Sequence, residues 1–390
     1  MIIVIVGGGA GGATAAAGAR RLCEEAEIVV FERGPEVSFA NCGLPYHVGN
    51  EIVARDALLL QTPQSLGRRF RLDVRVRQEV VSIDSTARTV EVVRLDDDSR
   101  YQESYDHLIL ATGAQPLIPA IAGRERAGVF SLRDLGDMDA IIAWRSEHAE
   151  RGRAVIVGAG FIGLEMAEQL HGLGMQVTVV EAAPQVLPPL DPEMATLIEK
   201  ELVDHGVRVE LSEMVTAIED DPACAVGVVV TKSGLRIAAD LVLLSIGVRP
   251  NTTLAKSAGV KLGALGGIVV DEQMATSVER IWAVGDVIEA PHLVLGSPSL
   301  VPLGGPANRQ GRIAASNICG QKMRYRGNLG TAIVRVFRLT AALTGCSEKA
   351  LARAGALGQS VYLHPGSHAG YYPGASPIAM KLTFSPVDGK

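Results

Sequence analysis

The residue most able to do chemistry is Cys42, in the stretch SFANCGLPY that runs from Ser38 to Tyr46. Asn41 precedes it, and Gly43 and Pro45 follow. These are turn formers, so the thiol is expected at a turn that leads into a helix. A thiol entering a helix N-terminus has its thiolate form favoured near neutral pH, and the thiolate is the nucleophile. The other cysteines are Cys23, Cys224, Cys319 and Cys346. The total is odd, the spacing is scattered and no CxxC pair occurs. That argues against a disulfide framework or a zinc site and fits a reducing cytoplasm. All four are read as buried structural cysteines.

The second chemical signal is a pair of glycine patterns. IVIVGGGAGGATAAAGARRL leads into IVVFER, and AVIVGAGFIGLEMAEQL leads into VTVVEA. Each is a short apolar strand, a glycine turn, an amphipathic helix and a second strand ending in Glu. Gly7, Gly9 and Gly12 form the first GxGxxG, with Glu32 about 20 residues beyond the last glycine. Gly158, Gly160 and Gly163 form the second, closed by Glu181. Small residues let backbone approach a pyrophosphate, the helix N-terminus faces its charge, and the carboxylate accepts from ribose hydroxyls. One such turn could merely join a strand to a helix. Two in full context imply two dinucleotide sites, and Ala182 and Ala183 beside Glu181 supply no cation for a ribose 2′-phosphate at the second.

These loops need a scaffold, and the chain has room for one. Its 390 residues suffice for two or three domains. Hydrophobic residues make up 47%, aromatics only 4%, and there are 43 glycines, a composition suited to an α/β protein with many tight loops. A net charge of −6 gives no support to nucleic-acid binding. The opening MIIVIVGGGAGG lacks a basic flank and its apolar run stops at Gly7, so it reads as a buried strand and not a signal peptide. No apolar stretch reaches membrane-spanning length. A cytoplasmic protein without a membrane or nucleic-acid partner is expected.

Three further segments, YDHLILATGAQP from Tyr105, LSIGVRPNT from Leu244 and TSVERIWAVGDV from Thr276, resemble the recurring motifs of the pyridine nucleotide–disulfide oxidoreductases. The resemblance runs from Met1 nearly to Lys390. It implies two Rossmann-like dinucleotide-binding domains, the first for FAD and the second for NAD(P)H, plus a partial α+β C-terminal dimerisation domain. The implied organisation is 1–115 FAD domain, 116–149 connection, 150–250 NAD(P)H domain, 251–327 return to the FAD domain and 328–390 dimerisation domain. The last region ends at KLTFSPVDGK, read as a strand and turn without a returning strand, so the domain looks truncated. By the same resemblance Asp286 binds the ribityl chain. Arg33, Ala111, Thr112, Gly113, Pro302 and Ala307 line FAD, and Gly247 lines the nicotinamide nucleotide. The helix starting near Pro306 points its N-terminus at the flavin ring.

Two-cysteine members of this superfamily place four residues between their thiols. Here the position five after Cys42 is His47. The thiol is therefore expected to cycle through a mixed disulfide with a small partner, a persulfide or a sulfenic acid. SFANCGLPY resembles the active-site segment of the coenzyme A–disulfide reductases, which implies substrate contacts at Ser38 and Asn41. The first helix resembles theirs at Thr14 and Arg21, although Gly18 stands where a longer side chain is common. Asn308 falls where some members place a substrate-facing His. HAGYYPG resembles the segment that sends a tyrosine into the partner subunit of a homodimer, which leaves Tyr371 and Tyr372 both as candidates. Coenzyme A carries phosphates, and RRFRLDVRVR offers cations. Arg75 and Arg77 read as the solvated face of a strand, while Arg20 and Arg21 with Arg68, Arg69 and Arg71 are candidate phosphate contacts. His364 and His368 flank Pro365 and Gly366 and do not hold a zinc-binding helical face. The acceptors that fit are coenzyme A disulfide, its persulfide and polysulfide. The alternatives are an NADH oxidase or peroxidase cycling Cys42 through sulfenic acid, and a redox sensor. Oxidase and peroxidase relatives carry a His in the first glycine loop, where this chain has Ala10.

Overall fold

The computed structural model describes residues 1–148, 152–356 and 358–389. The chain divides into two compact units, Met1–Pro116 with Val248–Asn328, and Leu117–Gly247 with Leu329–Lys390. The expected boundary between residues 149 and 150 lies outside the described residues.

Both units are built on one plan. The first holds a five-stranded parallel sheet in the order Ile281–Ala283, His107–Leu110, Ile2–Val6, Glu27–Glu32, Asp73–Val76. The second repeats it as Val129–Phe130, Leu241–Leu244, Arg153–Val157, Gln176–Glu181, Arg208–Leu211. The central strand of each feeds a glycine loop. Matching registers pair Val6 with Phe31 and Leu110, and Val157 with Val180 and Leu244. The central strands are apolar at nearly every position because a parallel sheet of this kind is covered on both faces. Ile3, Val4, Ile5, Val155 and Ile156 are fully buried, each contributing about 1.5–3 kcal/mol relative to exposure. Each unit also carries a three-stranded antiparallel sheet. These are Gln78–Asp84, Thr89–Arg94 and Arg100–Ser104 in the first, and Val215–Glu219, Gly227–Thr231 and Arg236–Ala239 in the second. The repeat seen in the glycine patterns thus extends through both units.

In the first unit the opening helix, Ala10–Leu22, packs along the closing helix, Gly304–Ile318. Small residues bring them together. A side chain on Gly311 would strike the Gly11 carbonyl, and one on Gly18 would crowd the Ala315 methyl at 3.2 Å. The empty position at Gly18 therefore serves helix packing. At the far ends of these helices Cys23 and Cys319 form a disulfide across 296 residues. This corrects the expectation of isolated structural cysteines. Nothing local in the sequence joins residues so far apart.

In the second unit, residues beyond 329 add two hairpins and a helix. The hairpin Ala332–Val336 with Leu339–Leu343 turns at Phe337, whose ring stacks on His205 at 4.2 Å and meets the His171 edge at 5.5 Å. Met380–Phe384 pairs antiparallel with Gln359–Leu363. KLTFSPVDGK is thus a strand and turn as read, and the strand pairs with the one before it. This hairpin is anchored by Lys381, whose side chain is 6% exposed and lies 2.9 Å from Asp191, 2.6 Å from Glu193 and 2.7 Å from Glu348. The three carboxylates could otherwise gather a cation, and the ammonium neutralises them. A second correction concerns Arg75. It is not solvated but bonded to Asp73, Tyr101 and Glu103 and set over the Phe31 ring at 5.3 Å. Arg77 is half-exposed and paired with Asp96. Among the described residues no helix is long and apolar enough to cross a membrane.

Candidate functional site

Both glycine loops present the same cradle. Gly7 and Gly158 have φ of 106° and 107°, a region that L side chains avoid. A side chain on Gly12 would meet the Gly7 carbonyl, and one on Gly163 the Gly158 carbonyl. By contrast, nothing lies within 4 Å of where a side chain on Gly9 or Gly160 would point. Each loop is thus tight beneath and open above, at the middle glycine. Gly9 and Gly160 are also the N-caps of their helices, with no side-chain cap and no acid in the first turn. Main-chain N–H groups and the helix dipole are left facing the opening, which suits a pyrophosphate.

The closing acids are held alike. Glu32 accepts from Gly8 N–H at 2.8 Å and Gly34 N–H at 2.9 Å. Glu181 accepts from Ala159 N–H at 2.7 Å and Ala183 N–H at 2.8 Å. Each carboxylate bridges its glycine loop and the turn after the second strand, so its orientation is set before any ribose arrives. Arg33 points elsewhere, 4.0 Å from Glu79.

The remaining first-unit candidates assemble around the opening loop. Gly7 packs beneath Ala111. Thr112 Oγ1 donates to the Asn251 carbonyl at 2.8 Å, and Asn251 Nδ2 donates to the Thr112 carbonyl at 2.9 Å. This reciprocal clamp tightens the turn at Gly113, and sequence reasoning missed Asn251 although it lies within the quoted motif LSIGVRPNT. Gly285, next to Asp286, donates its N–H to Gln310 Oε1 at 2.8 Å, and Gly285 lies over Gly11. Pro302 precedes the closing helix, which starts at Gly304, and Ala307 packs in its first turns. Its N-terminus lacks both a side-chain cap and an acid. In the second unit Ser245 Oγ donates to the Gly158 carbonyl at 3.1 Å, and Gly247 accepts from Leu117 N–H at 2.9 Å.

Cys42 is exposed, in the single 3₁₀ turn Asn41–Gly43 that leads into the short helix Leu44–Val48. The segment is tied to the glycine loop because Ser38 N–H donates to the Gly8 carbonyl at 2.9 Å. Ser38 takes φ of 48° to make that turn. Ala40 N–H bonds the Leu58 carbonyl at 2.8 Å, and a side chain at Gly43 would collide with Leu58. His47 bonds the Ile52 carbonyl at 2.6 Å through Nδ1 and so closes the following turn.

The substrate candidates divide. Thr14 Oγ1 donates to Asn308 Oδ1 at 2.6 Å, joining the opening and closing helices. At the end of the opening helix Arg20, Arg21, Glu24, Arg69, Phe70 and Arg71 line a recess of about 320 Å³. Arg21 and Arg69 set their guanidinium carbons 5.4 and 5.3 Å from the Phe70 ring centre. Arg20 is bound to the Phe70 and Arg71 carbonyls at 2.9 Å each, and burial, with the Arg71 charge, pulls its basicity below the ordinary value. Arg71 bonds the Glu24 carbonyl at 2.9 Å. Arg20 and Arg71 therefore shape the recess, Arg21 and Arg69 line it beside Phe70, and Arg68 does not line it. Tyr371 and Tyr372 lie on the loop between the last two strands, 85% and 62% exposed.

The description of the pyridine nucleotide-disulphide oxidoreductases matches residues 1–304. The chain belongs to that family. It is an oxidoreductase of the flavoprotein type and uses FAD and NAD(P)H. Among its relatives, an NADH oxidase of Methanocaldococcus jannaschii is 36% identical over 95% of this chain and 82% of its own length. A coenzyme A disulfide reductase of Staphylococcus haemolyticus is 34% identical over 94% of this chain and 80% of its own. The crystal structure of reduced Bacillus anthracis CoADR-RHD superposes with a TM-score of 0.95 at 45% identity, covering 98% of this chain and 68% of that one.

Proposed function

We propose that the enzyme passes the two electrons of NADH to Cys42 and on to coenzyme A disulfide or a coenzyme A persulfide or polysulfide. The observation that carries this reading is the placement of Cys42, an exposed thiol on a turn bonded to the first glycine loop, with His47 where a second redox cysteine would stand. Gly7, Gly9, Gly12 and Glu32 would hold the FAD pyrophosphate and ribose, with Arg33, Ala111, Thr112, Gly113, Asp286, Pro302 and Ala307 around it. Gly158, Gly160, Gly163, Glu181 and Gly247 would hold NADH. Bound FAD supplies the two-electron relay between a hydride donor and a thiol.

The chain's own chemistry is thiol exchange. The Cys42 thiolate attacks one sulfur of RSSR, a protein–substrate disulfide forms, and one RS⁻ leaves. Two electrons then cleave that disulfide, releasing the second RS⁻ and restoring the thiolate. The sum is NADH + H⁺ + RSSR → NAD⁺ + 2 RSH. Ser38, Asn41, Thr14 and Asn308 position the substrate near the thiol, and Arg21 and Arg69 at the Phe70 recess take its phosphates. The enzyme acts in the cytoplasm as a homodimer, in which the exposed Tyr371 or Tyr372 reaches the partner's Cys42.

A second reading, an oxidase or peroxidase, is favoured by likeness to the Methanocaldococcus NADH oxidase. Against it, Ala10 supplies no imidazole beside the thiol, and general acid–base help is typically worth about 10²–10⁴-fold. NADH turnover with coenzyme A disulfide, polysulfide, hydrogen peroxide and oxygen, measured side by side, decides between them. The sulfur substrates are expected to lead in kcat/KM by orders of magnitude. Peroxide or oxygen turnover equal to theirs assigns the second reading.

A further inference from the structure

The disulfide between Cys23 and Cys319 has no part in the chemistry above, yet its placement is specific. Each cysteine directly follows the last residue of a helix, Leu22 for the opening helix and Ile318 for the closing helix. The Cα atoms are 6.0 Å apart, within the span a disulfide bridges. Both residues are half-buried at the edge of the first unit's core, so small thiol reagents have access. The same two helices carry Thr14 and Asn308, hydrogen-bonded to each other, and the opening helix starts from the glycine cradle at Gly9. Among the described residues the disulfide joins these two of the five cysteines, so this is a pairing of two particular cysteines and not a general oxidation.

We propose that Cys23 and Cys319 are a second, reversible redox couple, separate from Cys42, that locks the opening helix to the closing helix when the surrounding thiol pool is oxidised. The oxidant is a low-molecular-weight disulfide, RSSR. One cysteine thiolate attacks it, forming a protein–SSR bond and expelling RS⁻. The other thiol loses its proton, attacks the protein sulfur of that bond and expels the second RS⁻. Two protein thiols are oxidised, one RSSR is reduced, and two RSH leave. Both cysteines are only half-buried and so open to exchange with a small thiol, which is why the bond is assigned as reversible and not as a permanent staple. Only the S–S bond of the oxidant matters, so the inference stands or falls independently of the coenzyme A reading.

The test uses FAD-loaded Cys42→Ser protein without NADH, equilibrated in glutathione buffers of increasing disulfide share, then quenched in acid, denatured and alkylated. The sequence has five cysteines, and removing Cys42 leaves four. The expected result is four alkylated cysteines in the reducing buffers and two in the oxidising ones. A peptide joining Cys23 to Cys319 appears over the same range. Four labels throughout, or two throughout, overturns the proposal. The lock has its own readout. Amide exchange in the last turns of both helices slows about tenfold on oxidation, as expected when a fraying end is tied, and the slowing disappears in Cys319→Ala and in Cys23→Ala. Equal exchange rates in oxidised and reduced protein would overturn the lock even if the bond forms.

Discussion

Lys381→Met removes the buried ammonium from the acidic group that anchors the last hairpin. The lysine side chain is 6% exposed and within 2.9 Å of three carboxylates. Glu193 and Glu348, 43% and 52% exposed, can turn to water once the ammonium is gone. Asp191, 6% exposed, cannot. It keeps two main-chain donors, Glu348 N–H at 3.0 Å and Lys349 N–H at 3.1 Å. The cost is therefore that of one partly satisfied stranded carboxylate, at the low end of the range for breaking a buried pair, about 3 kcal/mol. At ~1.4 kcal/mol per tenfold this is about a 10²-fold loss of protection.

The pH dependence changes sign as well. In the wild type, burial opposes ionisation of Asp191, but the Glu348 N–H, Lys381 and the Lys349 N–H together hold its carboxyl below the ordinary range; Lys381 does the same for Glu193. Groups with depressed folded values stabilise above their unfolded pKa, near 4, and lose that contribution as pH falls through the folded value. Burial likewise opposes the Lys381 charge, and Glu193, Glu348 and Asp191 overcome it and raise its basicity. That contribution is complete below about 10 and is lost only at higher pH. The hairpin is thus evenly held from about pH 5 to 9. In Lys381→Met the buried carboxyl instead favours its protonated form, so lowering the pH toward 5 should tighten the hairpin. Amide exchange over residues 359–384, followed by mass spectrometry at several pH values, reads both effects. Unchanged protection at neutral pH, or a variant that loosens further toward pH 5, would refute the reasoning. Lys381→Met with Asp191→Asn should recover most of the loss.

Glu32→Ala removes two charge-assisted bonds to Gly8 and Gly34 and should weaken FAD retention tenfold or more, at about 1.5–3 kcal/mol per bond to a charge; flavin absorbance after ultrafiltration checks it. Gly158→Ala forces a side chain into φ of 107° and within 2.6 Å of the Ser245 carbonyl. Strain of ~1–3 kcal/mol predicts about ten- to hundredfold weaker NADH binding, with flavin content unchanged. NADH should outperform NADPH in kcat/KM because Glu181 repels a 2′-phosphate and neither Ala182 nor Ala183 neutralises it; a higher value for NADPH would sink that assignment. Cys42→Ser should leave NADH-driven bleaching of the flavin intact while abolishing turnover with coenzyme A disulfide, which difference spectra and a coupled assay separate.

The two glycine loops and their acids were legible because everything that defines them is local. A strand of five residues, a turn and a helix set the positions of Gly7 to Gly12, and Glu32 follows along the same segment. The exposed turn at Cys42 was legible for the same reason. Arg75 was misread because alternation places it on a strand face but does not say that Tyr101 and Glu103, on a different sheet, cover that face. The pairing of Met380–Phe384 with Gln359–Leu363 was not legible because a long turn-rich loop separates them and gives no register. Cys23 and Cys319 are the extreme case. Each looked like an apolar core residue, and only the alignment of two helices from opposite ends of the first unit makes them a pair.

The chain leaves and re-enters the first unit through neighbouring strands. Ala114–Pro116 pairs with Val248–Pro250, and just beyond, Leu117 N–H bonds the Gly247 carbonyl at 2.9 Å. The segment between is therefore an insert whose two ends already touch. Evolution, or a protein engineer, could exchange one hydride-donor cassette for another without stretching the host, because the scar is a single closed ladder. The cassette is not that segment alone, however. Phe337 is seated between His171 and His205, and Lys381 is seated in the acids of 191–193. A transplant that changes nucleotide preference must therefore carry residues 329–389 as its second piece, so modularity here is a property of two separated stretches of gene inherited together.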